Sequence, residues 1–167
     1  MSEITREHVL DILDFDSGTG KFYWKNPPKY HPDLQGKEAG SARMGRGGKQ
    51  YWVIKINRIA RKRGRLVFLV LNGRWPDPCI DHINGDSLDD LPINLREATV
   101  TQNAWNHRTR AKTTNLPMGV RSAGERFASR ISINKKHLFL GMFDTPELAA
   151  EVYISKRKEL YGEYSGY

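Results

Sequence analysis

A single cysteine, Cys79, in a chain of 167 residues constrains the fold more than any other feature. One thiol excludes an intramolecular disulfide and a zinc site built on several cysteines. A chain of this length fits one or two small domains. Their cores must therefore be held by packing and hydrogen bonds. Large apolar side chains for several small cores come from four tryptophans, Trp24, Trp52, Trp75 and Trp105.

Charge is distributed unevenly along the chain. The total is +8, with 27 Lys and Arg against 19 Asp and Glu. Residues 1–75 carry a net charge of +8, residues 76–106 carry −5 and residues 107–167 carry +5. Two basic segments around an acidic one suggest a nucleic acid that is held on both sides of a cation site. Chance clustering of ordinary surface charge is the alternative.

The sequence contains no sign of a membrane segment. No apolar run approaches the roughly 18 residues that a membrane span needs. Residues 1–15 lack the basic start and the continuous apolar stretch of a secretory signal. We therefore expect a protein of the cytoplasm, phage-encoded or bacterial, that has no membrane partner.

Turn and cap residues divide the chain into short elements. A helix is predicted over residues 4–15 from the spacing of its apolar residues, and residues 40–48 are predicted to be a flexible basic segment. The apolar run at 65–71 favours a short buried helix, with a strand as the alternative, because short apolar runs do not separate the two. Strands are predicted at 21–25, 51–56, from 59 onward, 79–82, 94–98, and near 118–122, 127–133 and 137–142. Helices are predicted from about 100 to 108 and from Thr145 to Tyr161.

The most specific pattern lies within residues 79–103. Asp81-His82 comes at the end of a predicted strand, and Asn103 lies in the helix that follows the next strand. A ββα unit of this size brings the Asp81 carboxylate and the Asn103 amide oxygen together, and both are hard oxygen ligands suited to Mg²⁺. His82 would then lie beside a bound phosphate and could take a proton from water. Taken singly, a structural histidine and a solvated asparagine are the alternatives.

A group of cations precedes the predicted buried helix. Four of the five residues from 61 to 65 are basic: Arg61, Lys62, Arg63 and Arg65. Their position next to an apolar segment favours a clamp for DNA phosphates, and a solvated turn is the alternative.

Residues 80–103, IDHINGDSLDDLPINLREATVTQN, resemble the HNH (His-Me finger) endonuclease motif, in particular that of phage intron-encoded homing endonucleases. The resemblance implies that His82 is the general base and that Asp81 and Asn103 bind Mg²⁺ or Mn²⁺. It also implies that Asn94 holds the loop and the histidine in place by hydrogen bonds.

Three positions extend or depart from that motif. His107, four residues beyond Asn103, is implied as a further contact to metal or phosphate, with a solvated histidine at the helix end as the alternative. Relatives often have a histidine where this chain has Gly64, and they tend to have Asp-Asn-Arg where it has Asp89-Asp90-Leu91.

Residues 119–164 resemble the ethylene-response-factor (apetala-type) DNA-binding domain, most clearly in the run LGMFDTPELAA from Leu140 to Ala150. The resemblance implies a three-stranded antiparallel sheet that packs on one helix and enters the major groove. The DNA contacts that it implies by position are Arg121, Arg126, Arg130 and Lys135, and arginine is suited to reading guanine edges.

The sequence therefore predicts an α+β protein in four parts. These are a basic, β-rich DNA-binding region over residues 1–75, a central ββα-metal HNH nuclease motif over 76–110, a linker over 111–117 and an ethylene-response-factor-like domain over 118–167. The predicted function is nicking or cutting of double-stranded DNA by a monomer that uses Mg²⁺ or Mn²⁺ and no small-molecule cofactor. A non-catalytic, sequence-specific DNA-binding regulator with a decayed nuclease core and an RNA-processing nuclease remain the alternatives.

Overall fold

The computed structural model describes residues 4–106, 115–133 and 136–166. The chain divides into two compact units, Met1–Asn103 and Ala104–Tyr167. Both units mix helices with small antiparallel sheets, so the α+β class is confirmed. Within the described residues, no helix combines the length and apolar character needed to cross a bilayer.

The first unit begins with a helix that runs directly into a hairpin. Helix α1 (Arg6–Ile12) starts at Thr5, whose Oγ1 accepts a hydrogen bond from the backbone N–H of His8. The predicted helix extends too far, because residues 13–15 belong to strand β1 (Leu13–Asp16), which pairs antiparallel with β2 (Lys21–Trp24). In this hairpin Leu13 and Phe22 are fully buried. The free energy gained by burying them outweighs the preference for a helix that the apolar spacing of residues 4–15 indicates.

A three-stranded antiparallel sheet follows, with the order β3 (Ser41–Met44), β4 (Gln50–Ile56), β5 (Ile59–Lys62). The prediction of a flexible segment over 40–48 is wrong for residues 41–44, which pair with β4. The predicted turn at Asn57-Arg58 is confirmed: both residues have positive φ, 49° and 67°, as a two-residue hairpin turn requires.

Helix α2 (Arg63–Asn72) covers this sheet and supplies much of the core. It ends at Gly73, whose left-handed φ of 70° lets its N–H bond back to the carbonyl of Leu69. The helix packs against α1 and β4. The core that results contains, in sequence order, Ile4, Val9, Leu13, Phe22, Trp24, Ala39, Ile54, Ile56, Leu66, Val67, Leu69 and Val70, with Trp75 and Leu95 packed against it.

The segment with the proposed catalytic residues forms a strand, a loop, a second strand and a helix, as predicted. Strand β6 (Cys79–His82) pairs antiparallel with β7 (Leu95–Ala98), and helix α3 (Val100–Trp105) follows. Thr99 caps that helix, because its Oγ1 accepts from the N–H of Gln102 while its own N–H donates to the Gln102 side chain.

The second unit is a three-stranded sheet with one long helix. The strands β8 (Val120–Ala123), β9 (Arg126–Ile133) and β10 (Lys136–Phe143) lie in the order β10-β9-β8. Helix α4 (Pro146–Tyr161) packs on them and is capped by Thr145, as predicted. The sheet and the helix have the arrangement that the ethylene-response-factor resemblance implies, although membership of that family stays a hypothesis.

Candidate active site

Strand β6 carries Asp81 next to His82, and the register of the hairpin fixes what each one contacts. Asp81 lies directly opposite Arg96 on β7. The carboxylate is 3 % exposed, and its Oδ2 accepts hydrogen bonds from Nε and Nη2 of Arg96 at 2.9 and 2.7 Å. A buried carboxylate needs such a partner, because an uncompensated charge in the interior is very costly.

Asn94 closes the loop between the two strands. Its Oδ1 accepts from the N–H of Asn84 at 3.0 Å, and its Nδ2 donates to Asn84 Oδ1 at 3.1 Å and to the carbonyl of Asp89 at 2.7 Å. The Asn94 carbonyl also accepts from the N–H of Ile83 at 2.9 Å. These contacts are those of a residue that holds the loop, and its role in catalysis stays a prediction.

The His82 side chain contacts a buried acid to which the sequence analysis gave no role. Its Nε2 lies 2.9 Å from Oδ1 of Asp90, which is 3 % exposed. The other oxygen, Oδ2, accepts from Nε of Arg63 at 2.8 Å. The sequence analysis noted Asp90 only as part of a departure from the relatives' pattern, because nothing local shows that its side chain is buried against His82.

Asn103 lies beside the Asp81 face of the hairpin. Cys79 and Asp81 alternate with Ile80 along β6 and so share one face of the strand. Burial and the nearby Asp81 charge raise the pKa of the Cys79 thiol, and a hydrogen bond with the Asn103 side chain opposes that rise. The Asn103 side chain thus contacts Cys79, which shares a strand face with Asp81, and the joint binding of a metal by Asp81 and Asn103 stays a prediction.

The donor types at this face are those that Mg²⁺ or Mn²⁺ takes, although Asp81 is buried and its Oδ2 is paired with Arg96, so an ion would compete with that arginine. Asp81 supplies a carboxylate and Asn103 an amide oxygen, and Mg²⁺ in proteins is held by one or two such ligands together with water and substrate phosphate. Among residues 4–106, 115–133 and 136–166, no group of three or more His, Cys, Asp or Glu side chains could hold an ion by itself. The remaining ligands would thus come from water and DNA.

The four cations of residues 61–65 have different surroundings. Arg63 is 5 % exposed, and its guanidinium bonds Asp90, the Glu38 carboxylate and the Leu88 carbonyl. Its donors are thus engaged by protein groups. Arg65 also donates to protein, to the carbonyls of Pro76 and Pro78. The proposed phosphate contact therefore passes to Arg61 and Lys62.

Lys62 is the cation whose electrostatic neighbours link it to the candidate site. Its Nζ lies 3.2 Å from the centroid of the Tyr51 ring. Partial burial, followed by the charges of Arg65 and Lys49, lowers the pKa of Lys62, while Asp90 and Cys79 oppose the change. The phosphate contact of Lys62 stays a prediction.

The proposed DNA contacts of the second unit lie on its sheet. Arg121 and Arg130 are exposed, and the Arg130 guanidinium lies 5.7 Å from the centroid of the Phe139 ring. Arg126 is also exposed, and its Nε lies 2.8 Å from Oδ1 of Asp144. His107 and Lys135 lie outside the described residues.

Comparison with known proteins decides the family. The family model described as HNH endonuclease matches residues 61–105, which include all of α2, β6, β7 and α3. The chain is also 34 % identical over 110 residues to "Protein 3.8" of Escherichia phage T7, a match that covers 64 % of this chain and 89 % of that protein. The chain belongs to the HNH endonuclease family.

A second relative bears the family name. This HNH endonuclease is 31 % identical over 99 residues to the "Uncharacterized HNH endonuclease L560" of Acanthamoeba polyphaga mimivirus. That match covers 58 % of the endonuclease described here and 51 % of the mimivirus protein, so the chain spans about half of that relative. No solved structure gives a significant match. The family and the named relative establish the protein as a nuclease that acts on DNA.

Proposed function

We propose that this HNH endonuclease is a divalent-metal-dependent enzyme of the homing type that hydrolyses one or both strands of duplex DNA at the β6–β7 hairpin. The observation that carries the proposal is the grouping of His82, Asp81 and Asn103 on one ββα unit, inside the matched residues. Because one relative is a phage protein, we place the action of this endonuclease in the cytoplasm of a host cell. We propose that it acts there as a monomer.

The residues of the chain divide the reaction between them. His82 takes a proton from a water molecule as the oxygen of that water forms a bond to phosphorus and the bond from phosphorus to the 3′ oxygen breaks. The leaving oxygen takes a proton from solvent, so that the products have 5′-phosphate and 3′-hydroxyl ends. Asn94 keeps the loop after His82 in place through its bonds to Asn84 and Asp89.

Asp81 and Asn103 would hold Mg²⁺ or Mn²⁺. When bound, the ion supplies electrostatic stabilisation to the negative charge that develops on the phosphate and the leaving oxygen. Arg61 and Lys62 bind phosphates on the side of α2, where cations add affinity without reading sequence.

We further propose that the sheet of the second unit binds duplex DNA through Arg121, Arg126 and Arg130. Its support is the exposure of all three guanidiniums together with the fold that the ethylene-response-factor resemblance implies. A sheet that fits the major groove can read bases with arginine side chains.

Cleavage of a supercoiled plasmid that contains host and phage DNA tests the nuclease proposal. We expect wild-type protein with Mg²⁺ or Mn²⁺ to convert supercoiled DNA to relaxed or linear forms, and chelation to stop this. His82→Ala should lose at least about a hundredfold in rate, the lower end of what a general base contributes. His31→Ala, at an exposed histidine outside the hairpin, is the matched control.

Three outcomes would contradict the proposal. Cutting by His82→Ala at the wild-type rate would remove the histidine from the reaction. Binding without cutting in any metal would favour the non-catalytic regulator. Faster cleavage of structured RNA than of duplex DNA would favour RNA as the substrate.

A further inference from the structure

Asp90 lies between the proposed base and a buried cation. Each of its carboxylate oxygens has a different partner: Oδ1 lies 2.9 Å from His82 Nε2, and Oδ2 accepts from Arg63 Nε at 2.8 Å. The carboxylate is 3 % exposed, so these contacts replace those that water would otherwise make. A carboxylate that is held at both oxygens has a fixed orientation relative to the imidazole.

Arg63 is itself held on three sides, and this makes the orientation rigid. Besides Asp90, its Nη1 contacts Glu38 Oε1 at 2.9 Å and its Nη2 donates to the carbonyl of Leu88 at 3.0 Å. The guanidinium also lies 4.9 Å from the centroid of the Trp52 ring. The planar fork of an arginine allows little freedom once its donors are bonded in this way.

Gly64 leaves the space in which the contact between His82 and Asp90 forms. A Cβ atom at this position would lie 2.7 Å from Asp90 Oδ1 and 3.6 Å from His82 Nε2. Gly64 belongs to helix α2, where glycine is about 1 kcal/mol less favourable than alanine. The close approach of Asp90 gives a physical reason for a glycine in this turn of the helix.

The charges of Asp90 and Arg63 determine which nitrogen of His82 carries the proton. Asp90 forms an ion pair with Arg63, and a carboxylate in an ion pair only accepts hydrogen bonds, so Nε2 is the donor towards Asp90. A neutral imidazole has one N–H, and Nδ1 is then the nitrogen that can accept a proton.

We propose that Asp90, oriented by Arg63 and given room by Gly64, is a positioning residue that holds His82 as the Nε2–H tautomer and so assigns the reacting water to Nδ1. The inference rests on the proposed role of His82 as the base. It goes beyond that role, because it names the reactive nitrogen and the side chains that select it.

The test uses the isosteric variant Asp90→Asn in the full chain. Because Arg63 still donates to one side of residue 90, the amide oxygen faces Arg63 and the amide NH₂ faces His82 Nε2. An NH₂ group can only donate, so the histidine should change to the Nδ1–H tautomer although the packing is kept.

Two measurements are made on wild type and on each variant. Long-range ¹H–¹⁵N NMR of the His82 ring, at a pH where the spectrum shows a single N–H on the ring, reports the tautomer without any cleavage. Cleavage rates against DNA concentration separate kcat from KM. We expect the Nε2–H tautomer in wild type and Nδ1–H in Asp90→Asn, with kcat lowered by about 10- to 100-fold, the range typical of an orienting partner, and KM little changed.

Further variants separate positioning from a general loss of structure. Gly64→Ala should lower kcat in the same way, because the added Cβ displaces Asp90 Oδ1, while the helix itself gains a better helix former. Asp86→Asn, an exposed acid of the same loop, is the matched control and should leave kcat and the His82 signal as in wild type.

The outcomes of this test are distinct from those of the nuclease proposal. An Nδ1–H tautomer in the wild type, or a His82 signal that is unchanged in Asp90→Asn, overturns the inference whether or not DNA is cut. Wild-type kcat in Asp90→Asn, alongside an inactive His82→Ala, overturns it while the nuclease proposal stands.

Discussion

At the scale of single residues, Asn94 shows how a buried amide determines the shape of the catalytic loop. It is 8 % exposed and bonds both the backbone and the side chain of Asn84, as well as the Asp89 carbonyl. We predict that Asn94→Ala lowers the free energy of unfolding of the first unit by about 2 kcal/mol, because the buried groups it leaves lose their partners.

Urea unfolding and plasmid cleavage, measured on the same preparation, check this prediction. kcat should fall as well, since the loop begins directly after His82. Asn72→Ala is the control, because the Asn72 amide makes one exposed bond to the Phe68 carbonyl on α2. Equal stability of the two variants would show that the bonds of Asn94 do not hold the loop.

Residues that act locally could be predicted from the sequence, and those that act across the fold could not. Asp81, His82, Asn94 and Asn103 lie within 23 residues and carry a recognisable spacing. The contact of Arg63 with Asp90 joins residues 27 apart, and the contact exists only because β5 and α2 pack beside the loop. The sequence favoured a phosphate clamp for Arg63, since burial cannot be seen in a run of cations.

At the scale of elements, the β6–β7 hairpin is attached to the end of α2 by Glu97. The Glu97 carboxylate accepts from Nη1 and Nη2 of Arg74, both at 2.7 Å, and from the N–H of Asp77 at 2.6 Å. The hydrogen bond from Arg74, followed by that from Asp77, lowers the pKa of Glu97 from 4.5 to about 2.

This shift predicts an acid-dependent step in stability. A carboxylate with a lowered pKa in the folded state stabilises the protein fully above its unfolded pKa and loses that contribution as the pH falls. The stabilisation by Glu97 is thus complete above pH 4.5 and lost as the pH falls towards about 2.

The difference in urea midpoint between wild type and Glu97→Gln isolates this contribution from those of the other acids. We expect a positive difference at neutral pH that shrinks between about pH 4.5 and about pH 2. A difference that stays constant with pH would assign the contribution of Glu97 to shape and not to charge.

In the second unit, Gly119 determines how closely α4 can approach the sheet. Its φ is +80°, and a Cβ atom would lie 2.0 Å from Cδ2 of the buried Tyr153 ring. We predict that Gly119→Ala destabilises this unit by about 2–4 kcal/mol, because backbone strain adds to overpacking.

A matched glycine separates these two causes. Gly124 has a φ of +69° and nothing within 4 Å of its Cβ position, so Gly124→Ala should cost only about 1 kcal/mol. Amide hydrogen exchange in β9 and α4 of the full chain measures both variants. Equal effects would mean that the Tyr153 ring moves aside without cost.

Elements with explicit turn and cap residues agreed best with the sequence predictions. Thr145-Pro146 and Gly162 mark both ends of α4, and Asn57-Arg58 marks the turn between β4 and β5. β1 and β3 were missed for one reason: their pairing partners, β2 and β4, stabilise them more than local preference does. The helical spacing of its apolar residues led to β1 being predicted as helix, and the glycines on either side of β3 led to that strand being predicted as a flexible segment.

At the scale of the whole molecule, the acidic segment is less free for cations than its net charge of −5 suggests. Asp81, Asp90 and Glu97 each contact an arginine, and two of these arginines, Arg63 and Arg74, belong to the basic first segment. Part of the uneven charge therefore serves the fold of the first unit. The proposed affinity for DNA must come from the cations that remain on the surface, in both units.

The sheet of the second unit gives the sharpest test of that view. If Arg121, Arg126 and Arg130 each bind a phosphate or a base edge, replacing all three with alanine removes up to three released counterions. The slope of log affinity against log salt should then fall by about 0.9 for each phosphate that the variant no longer neutralises, and affinity near physiological salt should fall steeply. kcat at saturating DNA should remain within about twofold, because the His82 hairpin belongs to the other unit.

Fluorescence anisotropy with a labelled duplex, over a range of salt concentrations, measures the slope, and cleavage at saturating DNA measures kcat. The matched control removes an exposed cation from α4 instead, with Lys158→Ala. Its effect per charge should be smaller, because long-range attraction between exposed charges is screened within about 8–10 Å. An equal loss of affinity per charge from α4 and from the sheet would mean that the second unit adds net charge alone and that its sheet is not the DNA-binding face.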